Sequence, residues 1–380
     1  MKNLFALLVL ALTLALTASA SALEMPVPPP PQLDASAWLL IDLSSGQVLA
    51  EHNANQRVAP ASLTKLMTAY LVFTALQQGQ IHLNDTVLPS TRAWKTEGSR
   101  MFIEPGKPVT IDALLHGMIV QSGNDATMAL AERLGGSEEG FVTMMNQTAA
   151  QLGLHNTHFV TATGLPDPQH YSTAADLARI ASAIIHDFPQ YMPLFAIREY
   201  RYNNIDQPNR NRLLWTDPSV DGMKTGHTES AGYCLIASAH RGGRRLLSVV
   251  LGTPTDALRA SESQRLLNYG FQAFDGVRVL RAGQSIGTLQ VWKGKTAHLR
   301  AGTLHDIDLS IPRGQAGAIR MSMTTRQPLI APIRAGQTIG TLTVSLGNRP
   351  LASYPLQALD NVPLASALGR AWDALRMKFQ

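Results

Sequence analysis

The amino-acid sequence predicts an α+β fold built in three successive parts. Strand-like segments stand near both ends of residues 33–275, and segments with helical periodicity lie between them. From Gly276 to about Leu359, short segments alternate apolar and polar residues between glycines and prolines, without a helical period. Pro363 to Phe379 then carry one apolar stripe at helical spacing. We therefore expect a mixed domain, a small β domain and a terminal amphipathic helix.

The first residues have the pattern of a secretory signal peptide. Met1-Lys2 supply a basic start, Leu4 to Leu16 an apolar core, and Ala18 to Ala22 small residues suited to cleavage. The apolar core is too short to cross a bilayer, which disfavours a membrane span. We expect residues 1–22 to be removed and the protein to be exported.

Composition excludes several kinds of protein. With 45% apolar and 16% charged residues, the chain is globular. Its formal net charge of +5 is scattered, so we expect no nucleic-acid partner and favour contact with an anionic wall or membrane surface. Cys234 is the only cysteine, which excludes an intramolecular disulfide and a cysteine-based zinc site. We expect it to be a buried structural thiol, and we expect neither metal nor cofactor.

The mixed domain follows a proline-rich spacer, which we place at residues 23–32. Trp38 to Asp42 and Gln47 to Glu51 predict a β-hairpin around a Ser-Ser-Gly turn. Near the end of the domain the sequence predicts strands at Tyr233 to Ala239 and Leu246 to Gly252, then a helix from about Asp256 to Phe274. We infer one sheet built from both ends of the domain.

Helical segments fill the region between these strands. Apolar residues recur at helical spacing in Ile111 to Gln121, Asp125 to Leu134, Gly140 to Leu152 and Thr173 to Asp187. Thr173 and Asp176 have the spacing of a capping box at the start of the last segment. We expect a cleft between this helical insertion and the sheet, a common place for a functional site.

Ser62 and Lys65 are the first candidates for chemistry. Pro60 precedes them and an apolar-periodic run follows, which predicts the first turn of a helix that ends near Gly79. Positions i and i+3 share one helix face, so the hydroxyl and the amine can meet. The free amides of a first turn would stabilise negative charge beside Ser62, which suits acyl transfer. Alone, the pair is a weak signal, because most such pairs are a capping serine and a solvated lysine.

Two later segments strengthen this interpretation. Ser122-Gly123-Asn124 follows an apolar run, and Lys224-Thr225-Gly226-His227-Thr228 precedes the strand at Tyr233. The motifs S-x-x-K, S-D-N and K-T-G, in this order, mark penicillin-binding proteins and class A β-lactamases. Over essentially its whole length, the chain resembles the low-molecular-mass penicillin-binding proteins that are D-alanyl-D-alanine carboxypeptidases, of the penicillin-binding protein five and six type. Gly123 replaces the aspartate of the middle motif, a form associated with these carboxypeptidases.

The resemblance implies a β-lactamase/transpeptidase-like catalytic domain at residues 33–275, with an antiparallel sheet and a helical insertion. A β-rich domain would follow at residues 276–360 and an amphipathic membrane-anchor helix at residues 361–380. The implied substrate is a peptidoglycan stem pentapeptide that ends in D-Ala-D-Ala, and β-lactams would be covalent inhibitors. The implied location is the periplasmic face of the inner membrane, with peripheral contact.

The expected reaction passes through an acyl-enzyme at Ser62, which attacks the terminal D-Ala-D-Ala bond and is later freed by water. Lys65 is the expected general base and must be neutral, so we expect burial and the nearby Lys224 cation to lower its pKa. By resemblance, Ser122 would relay a proton towards the leaving amine, and Asn124 would orient Lys65 or the substrate backbone. Which residue is the base in this superfamily is disputed.

A further group of residues would bind the substrate. By resemblance, its C-terminal carboxylate and extended backbone would contact Lys224, Thr225, Gly226 and the edge of the strand that follows. The amides of His227 and Ser62 would form the oxyanion hole, and we favour a wall or hydrogen-bonding role for the His227 ring. Arg210 matches a family arginine near the carboxylate, with Arg212 as a close competitor. The loop Gly98-Ser99-Arg100 is a candidate lid beside the cleft.

Two other patterns are expected to be structural. Ser285 stands in a G-x-S-x-G sequence typical of a nucleophile elbow, but the stretch around it recurs as Arg334 to Val344, with Thr338 at the matching position. We therefore expect a β-turn there. His155 and His158 have helical spacing without a third ligand, and no H-E-x-x-H occurs, which disfavours a zinc peptidase.

The terminal stripe admits two interpretations. Its members are separated by steps of four, four, three and four and are Leu364, Leu368, Trp372, Leu375 and Phe379. A tryptophan with basic neighbours suits a helix that lies in a membrane interface, which the resemblance also implies. The alternative is a helix that docks on its own β domain.

Three other functions stay open at this stage. A β-lactamase would share two motifs, but class A enzymes use a glutamate in an E-x-x-L-N segment, and this chain has none. An endopeptidase acting on peptide crosslinks would use the same site. A non-catalytic wall-binding scaffold would need none of the motif residues intact.

Overall fold

The computed structural model describes residues 27–378. The predicted signal peptide, residues 23–26 of the predicted spacer, and Phe379 lie outside this range, and residues 27–32 form no regular element. Within residues 27–378, no helix is both long enough and apolar enough to cross a membrane.

The helices have the following bounds: α1 Lys65–Gln77, α2 Thr91–Lys95, α3 Ile111–Val120, α4 Asn124–Gly135, α5 Glu138–Gln151, α6 Ala174–Asp187, α7 Leu213–Thr216, α8 Asp256–Ala273 and α9 Ala367–Arg376. The strands of the first part are β1 Ala37–Asp42, β2 Gln47–His52, β3 Thr86–Val87, β4 Val109–Thr110, β5 Glu199–Tyr202, β6 Ile205–Pro208, β7 Val220–Thr228, β8 Gly232–Arg241 and β9 Arg244–Thr253. Those that follow are β10 Phe274–Leu280, β11 Ser285–Trp292, β12 His298–Gly302, β13 Ile307–Pro312, β14 Ile319–Thr325, β15 Leu329–Ile330, β16 Thr338–Leu346 and β17 Arg349–Ala358. The predicted α+β fold is confirmed.

The main sheet joins the two ends of the first part. Its strand order is β2-β1-β9-β8-β7, and every neighbouring pair is antiparallel. One expectation was wrong: the strand that follows the K-T-G segment, β8, is flanked on both sides and has no free edge for the substrate. The K-T-G segment itself lies in the edge strand, β7. The sequence did not predict β7 as a strand, because Gly222 and Gly226 interrupt the alternation of apolar and polar residues that is typical of strands.

The helices form where their spacing predicted them. Thr173 caps α6 by accepting a hydrogen bond from the Asp176 amide. The second hydrogen bond of the predicted capping box, from the Thr173 amide to the Asp176 side chain, is absent. The Asp176 carboxylate accepts instead from the Asn156 amide and the Thr157 hydroxyl. Helix α6 packs on β1 and β9 at one face of the sheet, and α1 to α5 belong to the same core, whereas α8 packs on the other face. The first face therefore holds the larger core, where the motif residues converge.

The β-rich part has a sheet in the order β14-β16-β17-β12-β11-β15 and a separate pair, β10 with β13. The two sequence repeats form matching turns: the Gln284 side chain accepts from the Arg281 amide, and the Gln337 side chain accepts from the Arg334 amide. Ser285 begins β11 and bonds to the Gly287 carbonyl, so it occupies a strand and not a nucleophile elbow. The predicted β-turn is confirmed.

The terminal helix, α9, is shorter than the predicted range and is held by polar contacts. Ser366 caps it, and the Asp373 carboxylate accepts a hydrogen bond of 2.7 Å from the Lys293 amide. The Arg376 guanidinium lies over the Trp292 ring. The apolar stripe faces away from these contacts: Leu368 is 85% exposed and Trp372 is 62% exposed.

A buried ion pair joins the β-rich part to the main sheet. Asp42 of β1 and Arg244 of β9 form it, with only 1% and 11% of their side chains exposed. Ser310 of β13 donates to the Asp42 carboxylate, and Gln47 accepts from the Ser310 amide. Arg244 also donates to the Phe274 carbonyl, where β10 begins. These contacts fix β10 and β13 against the edge of the sheet that β1 and β2 form.

Replacing Arg244 by alanine should lower the free energy of unfolding by about 3–5 kcal/mol, because Asp42 would be left as an unpaired buried charge. The matched control is Arg278→Ala, which removes an exposed pair with Asp308 and should leave stability nearly unchanged. Urea unfolding followed by fluorescence measures both variants. Equal, small losses for the two would contradict the structural role given to the buried pair.

Candidate active site

Ser62 and Lys65 meet at the start of α1. Ser62 lies in a 3-10 turn, Ala61–Thr64, and Lys65 is the first residue of the α-helix that follows. Lys65 Nζ is 2.9 Å from Ser62 Oγ. The contact predicted from the i, i+3 spacing is therefore present, in a turn tighter than the predicted α-helical one.

Burial changes the chemistry of Lys65. Its side chain is 1% exposed, and its amine also donates to the Thr163 carbonyl at 2.7 Å. Burial, and then the positive charge of Arg210, lower the pKa of Lys65 to about 7. An amine with this pKa is half neutral at neutral pH and can accept the Ser62 proton.

Two other cations lie close enough to act on Lys65. The positive charge of Arg210 lowers the Lys65 pKa, an effect that no sequence motif predicted. Lys224 is itself buried, and burial and then the charge of Lys65 lower the pKa of Lys224 well below its usual value. The two buried lysines therefore disfavour each other's positive charge, which agrees with the expected effect of Lys224.

Ser122 and Asn124 reach the same cleft from the loop between α3 and α4. Ser122 has a φ of +64°, a backbone conformation uncommon for residues other than glycine. Its Oγ and the Asn124 Oδ1 are buried and accept or donate no hydrogen bond among the described residues. Asn124 is oriented by its amide nitrogen, which donates to the Glu97 carbonyl at 2.6 Å. Among the described residues, Asn124 thus hydrogen-bonds to the 97–99 loop and not to Lys65.

The glycine of S-G-N has a steric reason. A Cβ at Gly123 would lie 2.9 Å from Asp125 Oδ1 and 3.0 Å from the Met101 amide nitrogen. Asp125 needs that position, because its carboxylate accepts hydrogen bonds from the amides of Met101, Phe102 and Ile103. Asp125 thereby ties the loop beside the cleft to the turn that carries Ser122. No motif in the sequence assigned a role to Asp125.

β7 forms the opposite wall of the cleft. Lys224, Thr225 and Gly226 are buried within it, whereas the His227 side chain is exposed and stacks on the Tyr233 ring at 4.0 Å. A Cβ at Gly226 would lie 3.2 Å from the Pro60 carbonyl oxygen, so glycine lets β7 approach the turn that carries Ser62. The His227 ring contacts no carboxylate among the described residues.

Two arginines give one end of the cleft a positive charge. Arg210 lines the cleft, while its competitor Arg212 is paired with Asp256 outside it. The second arginine is Arg259 of α8, which the sequence analysis missed because no motif surrounds it. Arg259 is buried, donates to the Gly226 carbonyl at 3.2 Å and also lines the cleft.

The cleft has a volume of about 360 Å³ and most of the predicted site residues line it, whereas Lys65 and Lys224 are buried and are not among its walls. Its walls are Ser62, Gly98, Ser99, Ser122, Asn124, Thr163, Gly164, Leu165, Arg210, Thr225, Gly226, His227, Thr228 and Arg259. Gly98 and Ser99 of the candidate lid are among them, and Arg100 is not. None of these lining residues is acidic.

Within residues 27–378, no three histidine, cysteine, aspartate or glutamate side chains cluster as potential ligands of a metal ion. His155 and His158 do not share a helix, because both lie in the irregular segment after α5, and His158 bonds to the Gln169 carbonyl. Cys234 is buried in β8, where burial raises the pKa of its thiol to about 11. It behaves as the structural thiol that we expected.

A nucleophilic serine against a buried lysine amine, beside a strand edge with cations at one end, defines a serine acyl-transfer site on an α+β scaffold. Comparison with known proteins narrows the class. The model of the peptidase S11 family, D-alanyl-D-alanine carboxypeptidase, matches residues 24–255, and that of the penicillin-binding protein 5 C-terminal domain matches residues 274–364. The chain belongs to the D-alanyl-D-alanine carboxypeptidase family.

Individual relatives match over nearly the whole chain. The chain is 44% identical to D-alanyl-D-alanine carboxypeptidase DacC of Escherichia coli, across 91% of this chain and 89% of the relative. It is 40% identical to DacA of the same organism, across 92% and 88%. The crystal structure of penicillin-binding protein 5 from Haemophilus influenzae superimposes with a TM-score of 0.85 at 42% identity, over 88% of this chain and 99% of that one.

Proposed function

We propose that the protein is a serine-type D-Ala-D-Ala carboxypeptidase that removes the terminal D-alanine from peptidoglycan pentapeptide. One observation carries the proposal: Lys65 Nζ, whose pKa is lowered to about 7, contacts Ser62 Oγ in a cleft with cations at one end. The activity of the curated relatives supports the same substrate. The protein would act in peptidoglycan biosynthesis and remodelling, and thereby in cell shape.

Acylation begins when neutral Lys65 accepts the Ser62 proton. Ser62 Oγ then bonds to the carbonyl carbon of the penultimate D-alanine, and the amides of Ser62 and His227 stabilise the oxyanion. The bond to the terminal D-alanine breaks as its nitrogen takes a proton, relayed from Lys65 through Ser122. Water later attacks the ester, with Lys65 again accepting the proton, and Ser62 is restored.

Recognition of a free carboxylate is what makes the activity a carboxypeptidase. Lys224, Thr225 and Arg210 would bind the terminal carboxylate, joined by the newly identified Arg259. Gly226 lets the strand edge pass close to Ser62, and Asn124, through its unpartnered Oδ1, would accept a hydrogen bond from the substrate backbone. A blocked C terminus would remove the carboxylate partner of Arg210, so amidated peptides should be poor substrates.

The composition of the cleft walls separates the proposal from a β-lactamase. No acidic residue is among them, so no carboxylate is placed to activate a water molecule for fast hydrolysis of a penicilloyl ester. β-Lactams should therefore acylate Ser62 and stay bound. Activity on crosslinks as a D,D-endopeptidase would use the same residues and is the second candidate.

The remaining assignments concern placement. We propose that residues 1–22 are a signal peptide, residues 23–32 a spacer, residues 33–275 the catalytic domain, residues 276–360 the β-rich domain and residues 361–380 a membrane anchor. The protein would then be periplasmic and peripheral to the inner membrane. The exposed apolar stripe of α9 supports this, because its polar contacts with the β-rich part leave Leu368 and Trp372 uncovered.

Brief exposure to benzylpenicillin should give one penicilloyl adduct, located on the peptide that contains Ser62, and the same protein should release D-alanine from uncrosslinked pentapeptide. Ser62→Ala should abolish both results, because the nucleophile is gone. Ser285→Ala is the control and should change neither. Intact mass, peptide mapping and D-alanine assay are the measurements. Faster cleavage of purified crosslinked dimers than of pentapeptide would favour the endopeptidase, and rapid loss of the adduct would favour a β-lactamase.

The acylation rate constant for benzylpenicillin should rise with pH around a midpoint near 7, because only neutral Lys65 accepts a proton. At pH 6 it should be about tenfold below its plateau. Arg210→Gln removes a positive charge that lowers the Lys65 pKa, so its midpoint should move to higher pH. Arg212→Gln, at an ion-paired arginine outside the cleft, should keep the original midpoint. Identical pH profiles of the acylation rate constant for all three proteins would show that the Arg210 charge does not lower the Lys65 pKa.

The mature protein should bind vesicles of anionic phospholipid through the stripe on α9. The double variant Leu368→Glu with Trp372→Glu should bind at least about tenfold more weakly, because each side chain contributes roughly 1.5–3 kcal/mol on burial. Leu88→Glu, at another exposed leucine in the catalytic part, is the matched control. Vesicle sedimentation measures all three, and undiminished binding by the double variant would reject the anchor.

A further inference from the structure

His170 is a buried histidine close to the active site that the reaction above does not use. It is 3% exposed and lies in the irregular segment before α6. Burial lowers the pKa of its imidazole to about 4, so the ring is neutral at neutral pH. A neutral imidazole has one nitrogen that donates a hydrogen bond and one that accepts. The partners of the two nitrogens therefore decide which groups the ring can join.

The hydrogen bonds of the His170 ring fix its tautomer. The Val160 amide donates to Nδ1 at 3.2 Å, and the Thr161 amide donates to the same nitrogen at 3.3 Å. Because Nδ1 accepts from both amides, the ring proton is on Nε2. Nε2 then donates to Thr64 Oγ1, which lies 2.9 Å away. One ring thus bonds to the backbone of residues 160–161 on one side and to the Thr64 hydroxyl on the other.

The two segments that the ring joins carry the two groups that bind the Lys65 amine. Thr64 belongs to the 3-10 turn that contains Ser62, and it directly precedes Lys65. On the other side, residues 160–164 form a segment that we call the acceptor segment. It includes Thr163, whose carbonyl accepts from Lys65 Nζ at 2.7 Å. The ring therefore connects the turn of the nucleophile to the second acceptor of the amine.

The acceptor segment packs closely against the Ser62 turn. Gly164 has a φ of +82°, and a Cβ there would lie 2.7 Å from Thr64 Oγ1. Further along the segment, the Ala162 carbonyl accepts from the Thr68 hydroxyl, and the Ala162 amide donates to Glu138. These contacts hold Ala162, whereas the amides of residues 160 and 161 bond to His170. Removal of the ring would therefore free the start of the segment.

We propose that His170 is a positioning residue for acyl transfer: it fixes the acceptor segment against the Ser62 turn, so that the Lys65 amine contacts the Thr163 carbonyl and Ser62 Oγ together. The ring bonds to neither Ser62 nor Lys65 and acts through the two segments that it joins. Without the ring, the Thr163 carbonyl shifts and the amine turns away from Ser62. A misplacement of about 1 Å can slow a reaction about hundredfold. This inference rests on the proposed function.

Three variants of His170 separate the two halves of the ring. His170→Phe keeps an aromatic ring and loses both nitrogens, His170→Asn keeps an acceptor near the position of Nδ1, and His170→Gln keeps a donor near that of Nε2. The rate constant for acylation by benzylpenicillin, measured well above the Lys65 pKa, should fall about tenfold to hundredfold in His170→Phe and less in the other two. KM for D-alanine release from pentapeptide should change less than about twofold, because the groups that bind the substrate are intact.

A fourth variant, Thr64→Val, removes the hydroxyl to which the ring donates. If His170 acts through this hydrogen bond, the double variant Thr64→Val with His170→Asn should be acylated only slightly more slowly than the slower single variant. Effects that multiply in the double variant would show that the two residues act independently, and they would overturn the positioning role.

The controls separate positioning from folding and from the proposed function. His116→Gln changes a histidine whose ring donates to a carbonyl of its own helix, α3, and should keep the acylation rate constant. The final amount of penicilloyl adduct reports the folded fraction, so a His170 variant that loses adduct but keeps the rate constant would overturn the inference. Unchanged rate constants in all His170 variants would also overturn it and leave the carboxypeptidase in place. Absence of the adduct in the unchanged protein would overturn the proposed function and this inference with it.

Discussion

The active site depends on the amine of Lys65, which the fold buries away from water. Lys65 is buried, and an ammonium group without solvent is disfavoured, so the environment shifts Lys65 towards its neutral form. Two acceptors fix the direction of the amine: Ser62 Oγ, one turn away, and the Thr163 carbonyl, 98 residues further along the chain. Local spacing brings the nucleophile to the lysine. Tertiary packing then makes that lysine basic at neutral pH.

The same packing positions the other walls of the cleft, and it does so with backbone contacts. Asp125 accepts hydrogen bonds from the amides of residues 101–103, and Asn124 donates to the Glu97 carbonyl, so the loop beside the cleft is joined to the S-G-N turn. On the far side, Arg259 holds the Gly226 carbonyl of β7. The catalytic side chains therefore stand on rigid supports, which keeps unpartnered atoms such as Ser122 Oγ directed into the cleft.

Local patterns predicted most of the fold and the motif residues, and the misses share one cause. The hairpin, the capping role of Thr173 and the Ser62–Lys65 contact arise from residues close in sequence, so spacing predicts them. Arg259, and the effect of the Arg210 charge on Lys65, arise from residues far apart in sequence, and no periodicity encodes them. Strand β7 was missed for a related reason: Gly226 allows a close approach to Pro60, which is visible only once both segments are placed.

Topology explains how the chain can carry a β-rich part without blocking the cleft. In the order β2-β1-β9-β8-β7, the strand that lines the cleft and the hairpin strand β2 occupy opposite edges of the sheet. The contacts of Ser310 with Asp42 and Gln47 attach the β-rich part at the hairpin edge. Because those contacts involve buried and charged groups, they resist sliding of the two parts along the sheet. The β-rich part is therefore attached at the edge opposite to β7, the strand that lines the cleft.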